Sequence, residues 1–178
     1  LQGFWVEELP LEEQSVQELQ GRRYYVMPLA KKALFPLQAG RLNLGAAKVG
    51  FVINPFDGNR IIETTPKVVT VLPLPEQGRP RQFSGVVGDF SLSVSLNQTD
   101  VQQHSPLTLH VTLQGKGNFK TVTDLDYTEN SDYKLYKSST LDEMLPGDRV
   151  AGSRTFEYIM IPKESGTYQT PVFTFHYF

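Results

Sequence analysis

Apolar and polar residues alternate one by one over much of this chain, and no other feature of the sequence constrains the fold more. Between Asp89 and Asn97, apolar Phe90, Leu92, Val94 and Leu96 alternate with aspartate and serines. The segments Leu107–Leu113 and Arg154–Ile161 alternate in the same way. A period of two places successive side chains on opposite faces of a strand, so the pattern predicts half-buried antiparallel strands. Turn formers separate these segments about every ten residues, which predicts an all-β sandwich or barrel.

An internal repeat indicates two copies of one β-module. Ala33–Leu42 and Ile159–Tyr168 both read as an apolar strand, a proline, three residues, a glycine, one residue and a large apolar residue. We therefore predict tandem immunoglobulin-like β-sandwich domains. Residues 1–74 would form the C-terminal part of one sandwich, residues 75–81 a semi-rigid linker with two prolines, and residues 82–178 a complete sandwich.

The first domain is expected to be truncated at its N-terminus, and the sequence to be a piece of a longer protein. The chain starts on apolar Gly3-Phe4-Trp5-Val6 without a methionine, and it stops within a strand-like segment. A partial sandwich exposes its core, so Phe4, Trp5 or Val49 should be unusually exposed or covered by a neighbouring chain. Helical signals are weak, with a turn or two of helix expected at Glu12–Gln20 and Ser139–Leu145.

Composition excludes several classes of function. Lys and Arg total 17 against 19 Asp and Glu, and a net charge of −2 argues against nucleic-acid binding. The absence of cysteine removes disulfides, cysteine zinc sites and cysteine nucleophiles. The three histidines, His104, His110 and His176, have no metal-ligand spacing. We therefore expect no catalytic residue, no metal and no cofactor. No stretch of about 18 apolar residues is present to span a membrane.

Two surface segments are candidates for contact with a partner. Asp57, Gly58 and Asn59 lie in a predicted loop, residues 54–66, that the second copy lacks. Glu12 and Glu13 belong to an acidic stretch that could face a basic partner. A second predicted loop covers residues 138–152. The glycine pair of Gly115-Lys116-Gly117-Asn118 is interpreted as a turn after a strand rather than a phosphate loop, because no helix and no Gly-Lys-Ser/Thr ending follow it.

Two other functions remain open at this stage. A carbohydrate-binding or adhesin-like module would need exposed coplanar rings, for which Trp5 with Tyr24, or Tyr133 with Tyr136, are the candidates. A hydrolase would need two carboxylates facing each other across a cleft, and no spacing in the sequence places such a pair.

Several short segments, in order along the chain, resemble the BatD, or oxygen-tolerance, family. Phe83–Phe90 resembles an "F-x-G-x-V-G-x-F" opening, Gly115–Asn118 a "G-x-G-N" element, and Arg154–Tyr158 an "F-x-Y" strand. Ile161–Tyr168 and Phe175–Phe178 resemble an "I-P…G-x-Y…F-x-Y-F" ending, and Gly3–Glu8 resembles an upstream segment. The motif positions are Phe83, Gly85, Gly88, Phe90, Gly115, Gly117, Asn118, Phe156, Tyr158, Pro162, Gly166, Tyr168, Phe175, Tyr177 and Phe178.

The resemblance implies a non-enzymatic scaffold in the bacterial periplasm, held at the membrane by an anchor outside this sequence. It implies partners among Bat proteins with von Willebrand factor A or tetratricopeptide modules, and a functional link to a MoxR-type ATPase. It also implies a role in aerotolerance and stress resistance. The motif positions are mostly glycines and aromatic residues, which we interpret as turn and core determinants, and no catalytic residue is carried over.

Overall fold

The computed structural model describes residues 1–52, 58–145, 147 and 149–178, and the chain is all-β, as predicted. It divides into two compact units, unit 1 with Leu1–Glu8 and Lys32–Gly78, and unit 2 with Leu9–Lys31 and Arg79–Phe178. The strands are β1 Phe4–Glu8, β2 Ser15–Leu19, β3 Arg22–Val26, β4 Lys32–Pro36, β5 Gly40–Leu44, β6 Lys48–Val52, β7 Asn59–Glu63, β8 Lys67–Val71, β9 Gly88–Leu96, β10 Leu107–Gly117, β11 Asp126–Tyr127, β12 Tyr133–Met144, β13 Ala151–Pro162 and β14 Phe173–Thr174. A 3-10 turn spans Phe119–Thr121.

The main sheet of unit 2 has four antiparallel strands in the order β12-β13-β10-β9. With the strands lettered along the chain from β9, this is the A-B-E-D sheet of an immunoglobulin constant-type domain. The short strands β11 and β14 pair with each other and occupy the positions of strands C and F. The immunoglobulin-like fold class predicted from the alternation is confirmed.

The core of unit 2 follows directly from that alternation. Along β10, buried Leu107, Leu109, Val111 and Leu113 alternate with half-buried polar residues. The inward residues of β13 and the aromatic ring of Phe119 are buried with them. Burying each such side chain contributes about 1.5–3 kcal/mol relative to leaving it in water.

Unit 1 is built differently, from three separate two-stranded antiparallel ribbons that pair β1 with β4, β5 with β8, and β6 with β7. Phe4 and Leu42 are its buried hydrophobic residues among those described. The expectation that Phe4, Trp5 or Val49 is unusually exposed is wrong, because Phe4 is buried and the other two are half-buried. The exposed apolar side chains belong to β7 and β8 instead, where the pairing leaves both faces largely uncovered.

One antiparallel strand pair has the same register in both units, which agrees with the predicted internal repeat. In unit 1, Phe4 lies opposite Pro36, and in unit 2 Tyr133 lies opposite Pro162. The next backbone hydrogen bond is the same in both strand pairs, from the Leu37 N–H to the Gly3 carbonyl and from the Lys163 N–H to the Asp132 carbonyl, each 3.0 Å long. The predicted domain boundaries at residues 74 and 82 stay a prediction.

Local predictions failed where strand pairing overrides residue preference. The segments expected to form helical turns, Glu12–Gln20 and Ser139–Leu145, lie largely in β2 and β12. The predicted loop at 54–66 contains β7, and much of the predicted loop at 138–152 belongs to β12, which pairs with β13 along its length. Gly115 and Gly117 are not a turn, because both lie within β10.

Candidate functional site

A row of polar side chains crosses the outer face of the four-stranded sheet. Ser139 of β12 and His110 of β10 both lie opposite Glu157 of β13 in the strand register. The Ser139 hydroxyl donates to Oε2 of Glu157, and Nε2 of His110 lies 3.2 Å from Oε1 of the same carboxylate. One row further along, the hydroxyls of Thr112 and Thr155 are 3.0 Å apart. Alternation thus assembles a polar surface from three strands.

The order of this row does not activate a nucleophile in the usual way. In a serine hydrolase, the histidine contacts the serine and the carboxylate orients the histidine. Here, Glu157 stands between Ser139 and His110. The hydrogen bond from Ser139 is the main cause that lowers the pKa of Glu157, and contact with His110 lowers it further. A carboxylate with a lowered pKa is a weak general base near neutral pH.

The family-motif residues converge on the ring of Phe90. Its edge meets the rings of Phe175 and Tyr177 at centroid distances of 5.8 and 5.3 Å, both close to perpendicular. A Cβ atom added at Gly115 or Gly117 would lie within 3 Å of the Phe90 ring. The glycines therefore leave the space that the ring occupies, which explains these positions as packing determinants.

Backbone contacts join the same motif segments. The Val87 N–H donates to Oδ1 of Asn118 over 3.1 Å. Phe178 bonds through its N–H to the Val86 carbonyl and through its carbonyl to the Gly88 N–H. These bonds connect the opening and closing motifs of the resemblance.

The remaining motif positions have structural contacts as well. Phe156 and Tyr158 are buried, and the Tyr158 hydroxyl donates to Oδ1 of Asp124 over 3.2 Å. Burial and this carboxylate raise the pKa of Tyr158. The Tyr168 hydroxyl donates to the Glu164 carbonyl over 2.7 Å and closes the turn after β13. The other positions are half-buried Phe83 under Arg79, exposed Gly85 and Gly166, and Pro162 at the end of β13.

A pocket of about 330 Å³ opens at one end of unit 2, between the loop after β9 and the turn after β13. Leu96, Leu107 and Met160 provide apolar lining, while Asp100 and Glu164 bring carboxylates to it. Its volume lies at the lower end of the range for small-molecule sites. The lining can accept an apolar group with polar contacts around it, and nothing in its geometry selects one chemistry.

The predicted partner surface is only partly described. Asp57 lies outside the described residues, while Gly58 and Asn59 are exposed and Asn59 begins β7. Glu12 contacts Lys31 at 3.2 Å, and Glu13 is exposed. An internal lysine thus already balances part of the acidic stretch, and the involvement of these residues with a partner stays a prediction.

The pair Tyr133 and Tyr136, proposed for a carbohydrate platform, does not form one. Tyr133 is buried at its hairpin while Tyr136 is exposed, so the two rings cannot offer one flat surface. Trp5 is half-buried and packs against Phe35 with a centroid distance of 5.3 Å.

Sequence reasoning missed an exposed hairpin formed by β2 and β3, which we call the β2–β3 ribbon. Its strands pair with each other, and every residue of both strands is exposed. Gln20 and Gly21 both have positive φ, as a two-residue type I′ turn requires. Gly21, directly after Gln20, could have indicated this turn from the sequence. The charged residues around it made the flanking strands difficult to recognise.

Among the described residues, no group of three or more His, Asp or Glu side chains is placed to hold a metal ion. No helix in the described part of the chain is long and apolar enough to cross a membrane.

The comparisons with known proteins agree with the arrangement of motifs in unit 2. Residues 94–178 match the family model described as BatD DUF11 like domain, which begins within β9 and runs to the last residue. Neither the curated proteins nor the solved structures contain a match. The predicted resemblance to the BatD family is confirmed by this match to residues 94–178.

Proposed function

We propose that this chain is a non-enzymatic, extracytoplasmic interaction module of a membrane-associated Bat complex linked to aerotolerance. The family assignment supports a role in the Bat system. The observation that carries the interaction role is the β2–β3 ribbon, whose ten strand residues are all exposed.

The β2–β3 ribbon exposes several large apolar side chains to solvent. An isolated two-stranded hairpin is marginally stable in water. Val16 and Tyr25 lie opposite each other in the register and are 57% and 80% exposed. Leu19 and Tyr24 are also exposed. Tyrosine is enriched among the residues that contribute most of the binding energy in protein interfaces. We therefore infer that a protein partner buries the apolar side chains of this ribbon.

Partners are proposed from the family assignment. They are Bat proteins with von Willebrand factor A or tetratricopeptide modules, whose action is linked to a MoxR-type ATPase. The periplasm and a membrane anchor outside this sequence belong to the same proposal. The mechanism is recognition alone, since the polar row around Glu157 offers no activated nucleophile.

An affinity pull-down from detergent-solubilised membranes of the native host tests this proposal. The intact chain should enrich a membrane protein with a von Willebrand factor A module, identified by mass spectrometry. The double variant Val16→Ser/Tyr25→Ser should reduce that enrichment about tenfold or more, because it removes both members of one exposed cross-strand pair.

The matched control is Leu141→Ser, which removes a 70% exposed apolar side chain from β12. It should leave the enrichment unchanged. Equal enrichment by the double variant and the intact chain would reject the ribbon as the contact surface. Retention of envelope polysaccharide without any Bat protein would reject the interaction role and favour a carbohydrate-binding module.

A further inference from the structure

We propose that the pocket at one end of unit 2 binds an organic cation, in the form of a primary ammonium group on a short alkyl chain. A free amine and the side chain of a lysine in a polypeptide share this chemistry. We call the site the end pocket, and its lining lies within residues 96–107 and 160–170. The inference goes beyond the proposed function, because it depends neither on the β2–β3 ribbon nor on a Bat protein.

The two segments that line the end pocket are bonded to each other. One segment runs from the end of β9 to the start of β10, and the other runs from the end of β13 into the turn that follows it. The His104 N–H donates to the Pro162 carbonyl over 3.2 Å. Nε2 of Gln103 donates to the Lys163 carbonyl over 3.0 Å. The pocket is therefore already formed without a ligand, as small-molecule sites usually are.

The loop after β9 is itself held in a defined conformation. His104 has a φ of 64°, a backbone conformation that few residues other than glycine adopt. Beside it, the Ser105 N–H donates to the Gln102 carbonyl over 3.0 Å. At the start of the loop, the N–H of Asn97 bonds to the Thr108 carbonyl, and its Oδ1 accepts from the Thr108 N–H over 2.8 Å. A loop restrained at these points loses little further freedom when a ligand binds, which favours affinity.

Burial divides the lining into an apolar floor and a polar rim. Leu107 and Met160 are buried, and Leu96 is half-buried. Asp100 and Glu164 are exposed to solvent. A ligand with an alkyl chain can bury that chain on the floor while its charged end stays at the rim, in contact with water. This orientation avoids the cost of taking an ion fully out of water.

The shape of the end pocket selects no chemistry, but its charge does. The lining includes Asp100 and Glu164 and contains no Lys, Arg or His. Among the described residues, neither carboxylate forms an ion pair with a cationic side chain. Oδ2 of Asp100 accepts from the Thr99 hydroxyl over 3.0 Å, which restrains that carboxylate. A cation at the rim is attracted by both carboxylates, whereas an anion of the same shape is repelled.

Two residues next to the rim leave its negative charge in place. Lys163 precedes Glu164 in the chain, but its Nζ donates to the Ser131 carbonyl and is thereby held by another loop. Tyr168 lines the pocket, and its hydroxyl donates to the Glu164 carbonyl over 2.7 Å. The aromatic ring is then the part of Tyr168 left for a ligand, and an ammonium group over its face would gain a cation–π contact.

Other ligand classes fit the end pocket less well. A metal ion has no apolar part for the floor, and in the described part of the chain no three His, Asp or Glu side chains are grouped to hold one. A sugar would place hydroxyl groups against the apolar floor and would not use the charge of the rim. An alkylammonium ion uses both.

The test titrates the complete 178-residue chain, labelled with ¹⁵N, with n-pentylammonium chloride. The amide signals of Val101, Gln102 and Thr167 report on the lining. n-Pentanol and sodium pentanoate carry the same alkyl chain with a neutral and an anionic end. We expect pentylammonium to shift these signals to saturation, pentanol to bind about fivefold more weakly, and pentanoate to bind more weakly still, because only the charge at the rim differs.

A fourth probe distinguishes the two sources of the ammonium group. Nα-acetyl-lysine N-methylamide presents the lysine side chain on a peptide backbone. An affinity equal to that of pentylammonium would identify a lysine of a polypeptide as a ligand of the end pocket. An affinity at least tenfold weaker, with pentylammonium still bound, would identify a free amine.

A pair of protein variants locates the charge effect. Asp100→Asn/Glu164→Gln keeps the shape of both side chains and removes their charge, so it should weaken pentylammonium binding about tenfold and leave pentanol binding unchanged. The matched control is Glu13→Gln/Glu18→Gln, which removes the same charge from exposed residues that do not line the pocket. The control should bind pentylammonium as the original chain does.

Three outcomes would overturn the inference. Pentylammonium could leave the three amides unshifted, pentanoate could bind as tightly as pentylammonium, or the control variant could lose as much affinity as the pocket variant. Retained binding of pentanol shows that the pocket variant is folded, so loss of structure cannot imitate the expected result. None of these outcomes decides whether Bat proteins are captured in the pull-down, so the two proposals fail separately.

Discussion

Gly115 lies near the end of β10 and is paired with a neighbouring strand on each side, where glycine normally weakens a sheet. Its position is explained by close contacts on both sides. An added Cβ would lie 2.1 Å from the Asp89 carbonyl oxygen and 2.7 Å from the ring of Phe90. Since the obstacle includes backbone of β9, the site cannot relax by rotating one side chain.

We therefore expect Gly115→Ala to lower the free energy of unfolding by about 1–3 kcal/mol, the usual cost of overpacking. Gly50→Ala is the matched control, because Gly50 also lies in a strand but has open space where a Cβ would go. The control should change stability by less than about 0.5 kcal/mol. Urea denaturation followed by tryptophan fluorescence and circular dichroism measures both, and equal effects of the two substitutions would contradict the packing argument.

The polar row on the outer face of the sheet predicts how the pKa of Glu157 depends on Ser139. The Ser139 hydroxyl is the main cause of the lowered pKa of Glu157, whose ordinary value is 4.5. Ser139→Ala should therefore raise that pKa toward 4.5. Because the pKa of Glu157 is lower in the folded state, its stabilising contribution is present above the ordinary pKa and is lost as pH falls through the folded value. Because Ser139→Ala removes most of that contribution, the variant should lose less stability than the original chain does as the pH falls below 4.5.

Carboxyl ¹³C NMR titration of the labelled protein between about pH 2 and 7 measures this pKa directly. Ser138→Ala is the control, since Ser138 is exposed and falls at the irregularity in the pairing of β12 with β13. The hydrogen-bond explanation fails if Glu157 titrates at the same pH in both variants and in the original chain.

At this scale, sequence reasoning identified the motif residues but not their contacts. Alternation, a local signal, predicted Phe90 and Tyr177 as core residues, whereas the interpretation of Gly115 as part of a turn was wrong. The packing of these residues around the ring of Phe90 could not be predicted from the sequence, since it brings together segments that lie far apart in the chain. The hydrogen bond between Ser139 and Glu157 was not predicted either, because Ser139 was assigned to a loop and not to a strand beside β13.

Among the elements, β12 and β13 show how pairing overrides local preference. Residues 139–145 have some helical character in isolation, yet most of them lie in β12 opposite β13. Arg154 of β13 reinforces that pairing. Its Nε and Nη2 bind both carboxylate oxygens of Asp142 over 2.7 and 3.0 Å, and its Nη1 donates to the Val122 carbonyl over 2.6 Å. One guanidinium thereby connects β12, β13 and the segment after the 3-10 turn.

Arg154→Lys should lower the free energy of unfolding by about 1–3 kcal/mol. A lysine ammonium cannot bind two carboxylate oxygens in the fork geometry and reach a carbonyl at the same time. Part of the cost is the carbonyl that remains without its donor. The exposed Arg149 provides the control substitution Arg149→Lys, which should be close to neutral. Thermal unfolding followed by circular dichroism compares the two, and an unchanged melting temperature for Arg154→Lys would remove the connecting role.

For the whole molecule, the distribution of buried side chains separates the two units. Apart from Phe4 and Leu42, the buried hydrophobic residues among those described lie between Val86 and Phe173. They include the large fully buried side chains of Tyr158, Phe119 and Phe156. The sequence predicted this concentration, since its clearest alternation falls in the same region. Exposure in unit 1 was assigned to the wrong residues because the pairing of β6 with β7 was not foreseen.

A chain of residues 79–178 should therefore fold by itself. The reason is that this stretch contains the core of unit 2, the four-stranded sheet, and both partners of the β11–β14 pair. Differential scanning calorimetry should show one cooperative transition with an enthalpy of about 60–80 kcal/mol, as expected for a domain of about 100 residues. A dispersed ¹H–¹⁵N spectrum should accompany it. An isolated chain of residues 32–78 should lack such a transition, because its described part buries one hydrophobic side chain, Leu42. A non-cooperative melt for residues 79–178 would mean that the buried cluster of unit 2 is insufficient for folding and depends on the rest of the chain.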